Sequence, residues 1–258
     1  MRKVPRSDVL DSIRAALAPG ERGAVAFDGD GTLWSGDVGE DFFHATVRRD
    51  DYRPEATSAL KELARAHGLP DEGPGVVVAG GLYEAYLAGR FPEELVCEMM
   101  AWGVAGWTLA EARAFSEELL ARTKLTERFH PEVAAALDAA RALGLDVFLV
   151  SASPRCVIEA AAAHLGVPAE RVVAATPETA GDVVLPRAVR PIPYGDGKVT
   201  NLSARLEGRT LVAAFGDNAF DVAMLKAARV RVAVRPKQRL LDRASEVPDL
   251  VQIQPEGG

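Results

Sequence analysis

The chain is short of the features that mark several common protein classes. Its 258 residues include two cysteines, Cys97 and Cys156, which form no CxxC pair, so reduced thiols are the expected state. No apolar run approaches the roughly 18 residues that a membrane-spanning helix needs. The opening MRKVPRSDVLDSIRAALAPG is basic, has no leader-like apolar stretch and reads as an amphipathic helix. A net charge of −7 denies the chain the basic footprint of a sequence-independent nucleic-acid binder. These absences lead to the expectation of a cytoplasmic protein with neither a nucleic acid nor a membrane as partner.

Whole motifs are missing too. An EF-hand loop counted from Asp28 would need Gly and Glu where Leu33 and Gly39 stand. A dinucleotide-binding G-x-G-x-x-G fails at Trp34, and no Walker A sequence occurs. Ser151 lies in VSASP, which is not the G-x-S-x-G of a nucleophile elbow. His44, His67, His130 and His164 show no metal-ligand spacing and read as packing or surface residues.

What is there is a series of short apolar, β-rich runs alternating with alanine-rich helical stretches: 24–27, 146–150, 171–175, 210–215 and 230–234. Such runs, separated by helices, predict a parallel sheet covered on both faces. PEVAAALDAARALG, with Pro131 in its first turn and Gly144 past its end, feeds the second run. NAFDVAMLKAA is expected as a helix between the last two. Residues 46–124 look largely helical and too long for a crossover, which predicts an inserted helical subdomain. The expected division is a core of 1–45 and 125–258 with a cap of 46–124. The tail QIQPEGG reads as a frayed end.

The polar residues fall at strand ends. Asp28 and Asp30 follow the first run, Ser151 the second, and Asp217 the run TLVAAF. Open α/β sheets bind ligands at that edge, so residues distant in sequence converge there. Each has a plainer reading beside the functional one. Asp28 and Asp30 could be turn residues, Ser151 a helix cap, Lys198 part of a surface GDGK turn, and Asp217 with Asp221 a cap and an exposed helix residue.

Taken together, Asp28-Gly29-Asp30-Gly31-Thr32, Ser151, Lys198 and the stretch from Gly216-Asp217 to Asp221 resemble the four motifs of the haloacid dehalogenase superfamily, in order and over most of the core. Lys198 is the only lysine between Ser151 and Asp217. The resemblance implies a Rossmann-like α/β/α fold with a helical cap of the phosphoserine-phosphatase-like branch. It implies a Mg²⁺-dependent phosphatase acting on a small phosphorylated metabolite through an aspartyl-phosphate, as monomer or homodimer. By resemblance Asp28 is the nucleophile and Asp30 the general acid and base; Asp28 and Asp217 serve the metal with the Asp30 backbone carbonyl, and Asp221 holds a metal-bound water or Lys198. Ser151, Gly29, Thr32, Ala152 and Asn218 surround the phosphate, Thr32 also fastening the loop, and Lys198 offsets the charge of phosphate and aspartates. A phosphotransferase or mutase, or a non-catalytic binder of phosphorylated ligands, is the alternative. One departure is that relatives of that branch carry Asn immediately before the second motif-four aspartate, whereas this chain has Phe220 and places Asn218 beside Asp217.

Substrate choice is expected in WSGDVGEDFF and in the cap. In amine-phosphate phosphatases of this branch an acid near this place pairs with the substrate ammonium. Asp37 and Glu40 are the candidates here, with acids complementing a helix dipole as the alternative and as the preferred reading of Asp41. Tyr83, Tyr86, Trp102 and Trp107 could form a cage for a quaternary ammonium, although such spacings mark core residues more often.

Overall fold

A strand covered on both faces can carry apolar side chains at every position, and Gly23–Asp28 is buried throughout. It is a central strand of the computed structural model, which describes residues 1–255. The chain opens with β1 (Arg2–Val4), α1 (Arg6–Ala16), β2 (Gly23–Asp28) and α2 (Val38–Arg49). Four helices follow, α3 (Pro54–Ala66), α4 (Gly75–Leu87), α5 (Glu93–Trp102) and α6 (Leu109–Arg122). Then come α7 (Pro131–Ala142), β3 (Asp146–Pro154), α8 (Arg155–His164), β4 (Val172–Ala175), β5 (Pro177–Ala180) and β6 (Val183–Ala188). The chain continues with α9 (Asp196–Leu206), β7 (Thr210–Gly216), α10 (Val222–Ala227), β8 (Val230–Ala233), α11 (Gln238–Asp242) and β9 (Val251–Ile253).

Seven strands form one parallel sheet in the order β1-β9-β8-β7-β2-β3-β4. The expected α/β fold is therefore present. β2 lies between β3 and β7, with Asp28 opposite Val150 and Phe27 opposite Phe215. The two phenylalanine rings stack at 4.4 Å and 19° and lock this register. Because the three strands run the same way, Asp28, Ser151 and Asp217 emerge at one edge.

Three elements differ from the sequence reading. The tail is not frayed where it can be seen: Val251–Ile253 pairs with β1 and β8, and the Gln254 N–H donates to Val4 O at 2.9 Å. Glu256, Gly257 and Gly258 lie outside the described residues. Residues 177–188 form an antiparallel hairpin apart from the main sheet. The helix expected over NAFDVAMLKAA splits into a 3₁₀ turn at Ala219–Asp221 and α10, because Asp221 turns inward to accept backbone amides.

Within 46–124, α3, α4 and α5 build an apolar cluster with Phe43, reaching Ala175, Ala188 and Ile192. α6 instead packs on α8 and contributes Phe115, Leu119 and Leu120 to the main core. Trp102 belongs to the first cluster and Trp107 to the second, so both are core residues and not parts of a cage. Among the described residues no helix is long and apolar enough to cross a membrane.

Candidate active site

The loop after β2 is wound tightly. Leu33 N–H donates to Gly29 O at 2.8 Å and Gly31 N–H to Trp34 O at 2.8 Å. Gly31 has φ +85°, and a Cβ there would stand 2.1 Å from Asp217 Oδ2, so a side chain would drive the two strand ends apart. Gly29 meets a different constraint: its Cβ would come within 2.9 Å of the Trp34 ring. Thr32 is fully buried and donates its hydroxyl to Asp28 Oδ2 at 2.9 Å. Thr32 thus fastens the loop behind Asp28.

Asp28, Asp217 and Asp221 are buried and bring carboxylate oxygens within 4.8 Å of one another. Lys198 reaches them from the first turn of α9, with Nζ 2.5 Å from Asp28 Oδ1 and 2.6 Å from Asp221 Oδ1. At 1 % exposure it is no surface turn residue. The other Asp221 oxygen accepts the Asp217 and Asn218 amides at 3.0 and 2.9 Å, which orients that carboxylate. Lys237, which the sequence reading did not single out, stands 2.9 Å from Asp217 Oδ2.

Burial, then the charge of Asp221, push the Asp28 carboxyl well above the usual range. The same two causes, in that order, raise Asp217 to about 6. Burial works to lower the Lys198 ammonium, but the charges of Asp221 and Asp28 outweigh it and hold it above its ordinary value. Three carboxylates crowd against two ammoniums, and all the available donors are oxygens. That set fits a hard divalent cation such as Mg²⁺.

The Asp30 carboxylate faces away from the cluster. Its Oδ1 accepts Trp34 Nε1 at 2.8 Å and the Val38 amide at 2.7 Å. Its Oδ2 accepts Ser153 Oγ at 2.7 Å and Ser151 Oγ at 3.3 Å. Ser151 also receives the Ser153 amide at 3.0 Å. Ser153 was visible in VSASP but not assigned a role; the extension of β3 to Pro154 brings it to Asp30. Asn218 uses Oδ1 to accept the Ala219 amide at 2.7 Å, a cap on the 3₁₀ turn, while lining the cleft.

In front of these groups lies a cleft of about 510 Å³ whose lining includes Asp28, Asp30, Ser151, Ala152, Lys198 and Lys237. The same lining carries Asp37, Glu40, Tyr86, Glu93, Tyr194 and Phe220. Asp37 caps α2, accepting the Glu40 amide at 2.8 Å, and burial followed by the nearby Asp30 charge raises its pKa well above the usual range. Glu40 accepts the Tyr83 hydroxyl at 2.9 Å, whereas Asp41 turns away to pair with Arg128 at 2.7 Å. Glu93 accepts Tyr86 at 3.2 Å and Tyr194 at 3.3 Å and pairs with Arg239 at 2.9 Å, tying α5 to α11. Phe220 packs on Tyr194 with ring centroids 5.0 Å apart.

Among curated proteins no sequence matches this chain. Solved structures do. A protein with unknown function from Bordetella pertussis Tohama I superposes with a TM-score of 0.68 at 22% identity, covering 92% of this chain and 100% of that one. A functionally unknown protein from Anaerococcus prevotii DSM 20548 gives 0.67 at 16% identity, covering 93% and 88%. A substrate-bound phosphoserine phosphatase gives 0.52 at 14% identity, covering 90% and 93%. At these identities the shared property is the fold. The sequence model of the haloacid dehalogenase-like hydrolases matches residues 25–226, which include all four motif positions at the sheet edge. The chain belongs to the haloacid dehalogenase-like hydrolase family.

Proposed function

We propose that the protein is a Mg²⁺-dependent phosphatase of small phosphomonoesters. The observation that carries this reading is the Lys198 ammonium shared by Asp28 and Asp221, with Asp217 completing a carboxylate cluster at the ends of adjacent parallel strands. Asp28, Asp217 and Asp221 would hold Mg²⁺, joined by the Asp30 backbone carbonyl. When bound, the cation would neutralise phosphoryl charge that otherwise repels a carboxylate nucleophile.

The chain's own groups supply the remaining chemistry. An Asp28 oxygen attacks phosphorus in line as the bond to the leaving alcohol breaks, giving an aspartyl-phosphate. Asp30 delivers a proton to the departing oxygen. It then takes one from the water that attacks the acyl phosphate, which releases orthophosphate and restores Asp28. Ser151 and the amides following Asp28 donate to phosphoryl oxygens, and Lys198 opposes the charge that builds there. Ser153, on Asp30 Oδ2, keeps that carboxyl turned toward the leaving group.

Asp37 and Glu40, on the wall beyond Asp30, suit a leaving group that carries an ammonium, as in phosphoserine, phosphoethanolamine or phosphocholine. The test is phosphate release from a panel of amine, sugar and nucleotide monoesters with and without Mg²⁺. Metal-dependent release that Asp28→Asn removes supports the phosphatase. No release from a folded, Mg²⁺-binding sample sinks it. A preference for phosphoamines that Asp37→Asn and Glu40→Gln erase supports the substrate class. Asn is as good a helix cap as Asp, so the first variant removes charge while keeping α2.

A further inference from the structure

The segment between β8 and α11 passes over the aspartate cluster and is tied to it at two points. Val234 N–H donates to Gly216 O at 2.9 Å and Lys237 N–H to Asp217 O at 2.8 Å. Between them Arg235 adopts φ +40°, a left-handed backbone that non-glycine residues rarely take. The following Pro236 makes it less favourable still, because proline pushes its predecessor toward extended backbone. Such a conformation persists where surrounding contacts over-determine it.

Beside those two backbone bonds, an ion pair from outside the loop holds this conformation. Arg235 Nε and Nη2 both donate to Glu132 Oε1, at 3.1 and 3.0 Å. Glu132 sits in the first turn of α7 and is fully buried, and its Oε2 has no hydrogen-bond partner among the described residues. A buried carboxylate so incompletely satisfied is poor value for stability, since an apolar side chain of similar volume is often as good or better. Two residues upstream, His130 donates from Nδ1 to Thr32 O at 2.9 Å and from its backbone N–H to Leu33 O at 2.9 Å. One turn of α7 therefore braces both the nucleophile loop and the loop that carries Lys237.

We infer that Glu132 is a positioning residue of the phosphoryl site: its pair with Arg235 fixes the left-handed backbone and so holds the Lys237 ammonium on Asp217. Lys237 is exposed and lines the cleft, so its ammonium is placed by the path of its backbone, which the Arg235 pair fixes together with the Lys237 amide on Asp217 O. What Lys237 contributes to turnover rests on the phosphatase reading; where it sits does not.

The test uses the full chain as wild type, Glu132→Gln, Lys237→Ala and the double variant. kcat/KM is measured with p-nitrophenyl phosphate and Mg²⁺, and a crystal structure of Glu132→Gln is determined. Glutamine keeps the shape, and Arg235, which is partly exposed, can turn to solvent, so the fold is expected to survive. Glu132→Gln is expected to lower kcat/KM about tenfold when Lys237 is present and by less than about twofold when it is not, the coupling of two residues acting as one unit. In the crystal, Lys237 Nζ leaves hydrogen-bonding distance of Asp217. An equal loss in both backgrounds, no loss, or an unmoved Lys237 overturns the inference. If the wild type hydrolyses nothing, the phosphatase reading fails alone, and the Lys237–Asp217 separation in the variant still decides this one.

Discussion

The strand-end cluster and the helical wall face each other across one cleft and are built differently. Asp28, Lys198 and Asp221 are almost completely buried, are held by contacts of 2.5–2.6 Å, and hang from the central strands or the helix start beside them. The wall around Glu93 is half-exposed, its tyrosine contacts run to 3.2–3.3 Å, and its members come from helices and a loop. On the proposed reading, the charge that meets a phosphoryl group sits on buried strand ends and the groups that suit a leaving alcohol sit at half-exposed positions. Reaction type and substrate choice would then be separable by region.

The largest expected break in that contrast comes from Asp28→Asn, which should lower kcat by at least about 10³-fold while leaving far-UV circular dichroism unchanged. Lys198→Ala should cost both activity and stability. It leaves buried carboxylates uncompensated, and urea unfolding without metal should show a loss of about 3–5 kcal/mol, the usual cost of removing one partner from a buried pair. Adding Mg²⁺ should return part of that loss, because a ligand that binds the folded state alone stabilises it. On the wall the effects should be smaller and of another kind. Glu93→Gln should raise KM by about 3–10-fold and change kcat less than about twofold, a loss of uniform binding.

The smallest effect is a control far from the cleft. Glu21 is held at about 2, below its ordinary 4.5, by hydrogen bonds first from Arg229 and then from Thr210. A carboxyl lowered on folding stabilises fully above its unfolded value and loses that contribution as pH falls through the folded one. Between about pH 4.5 and 2 the wild type should lose stability that Glu21→Gln lacks from the outset, with the difference between them shrinking as acid is added. Phosphatase activity at neutral pH should be the same in both.

How much of this was legible depends on whether a residue announces itself locally. Asp28 and Asp217 end apolar runs, and a parallel sheet brings such ends together whatever the separation in sequence, so the cluster could be read directly. Lys198 was the softest of the four motifs because GDGK also reads as a surface turn; only packing reveals that it is buried. Lys237 and Glu132 gave no signal, since Lys237 reaches Asp217 from a loop tied to Gly216 and Asp217, and Glu132 meets that loop only through Arg235. β9 was misread because a three-residue strand has no usable periodicity and exists only between β1 and β8. Asp37 stands at the start of α2, as the helix-dipole reading has it, and also lines the cleft. Phe220, the departure from the branch pattern, turned out to build the wall with Tyr194.

The central claim is that Asp28 carries the phosphoryl group during turnover, and acid-quenched labelling tests it most directly. The chain is mixed with a radiolabelled phosphomonoester and Mg²⁺, stopped within one turnover, digested and mapped. Label on the peptide bearing Asp28, absent from Asp28→Asn and lost on chasing with unlabelled substrate, is the expected result. Turnover with no labelled chain, or label on another residue, would contradict it.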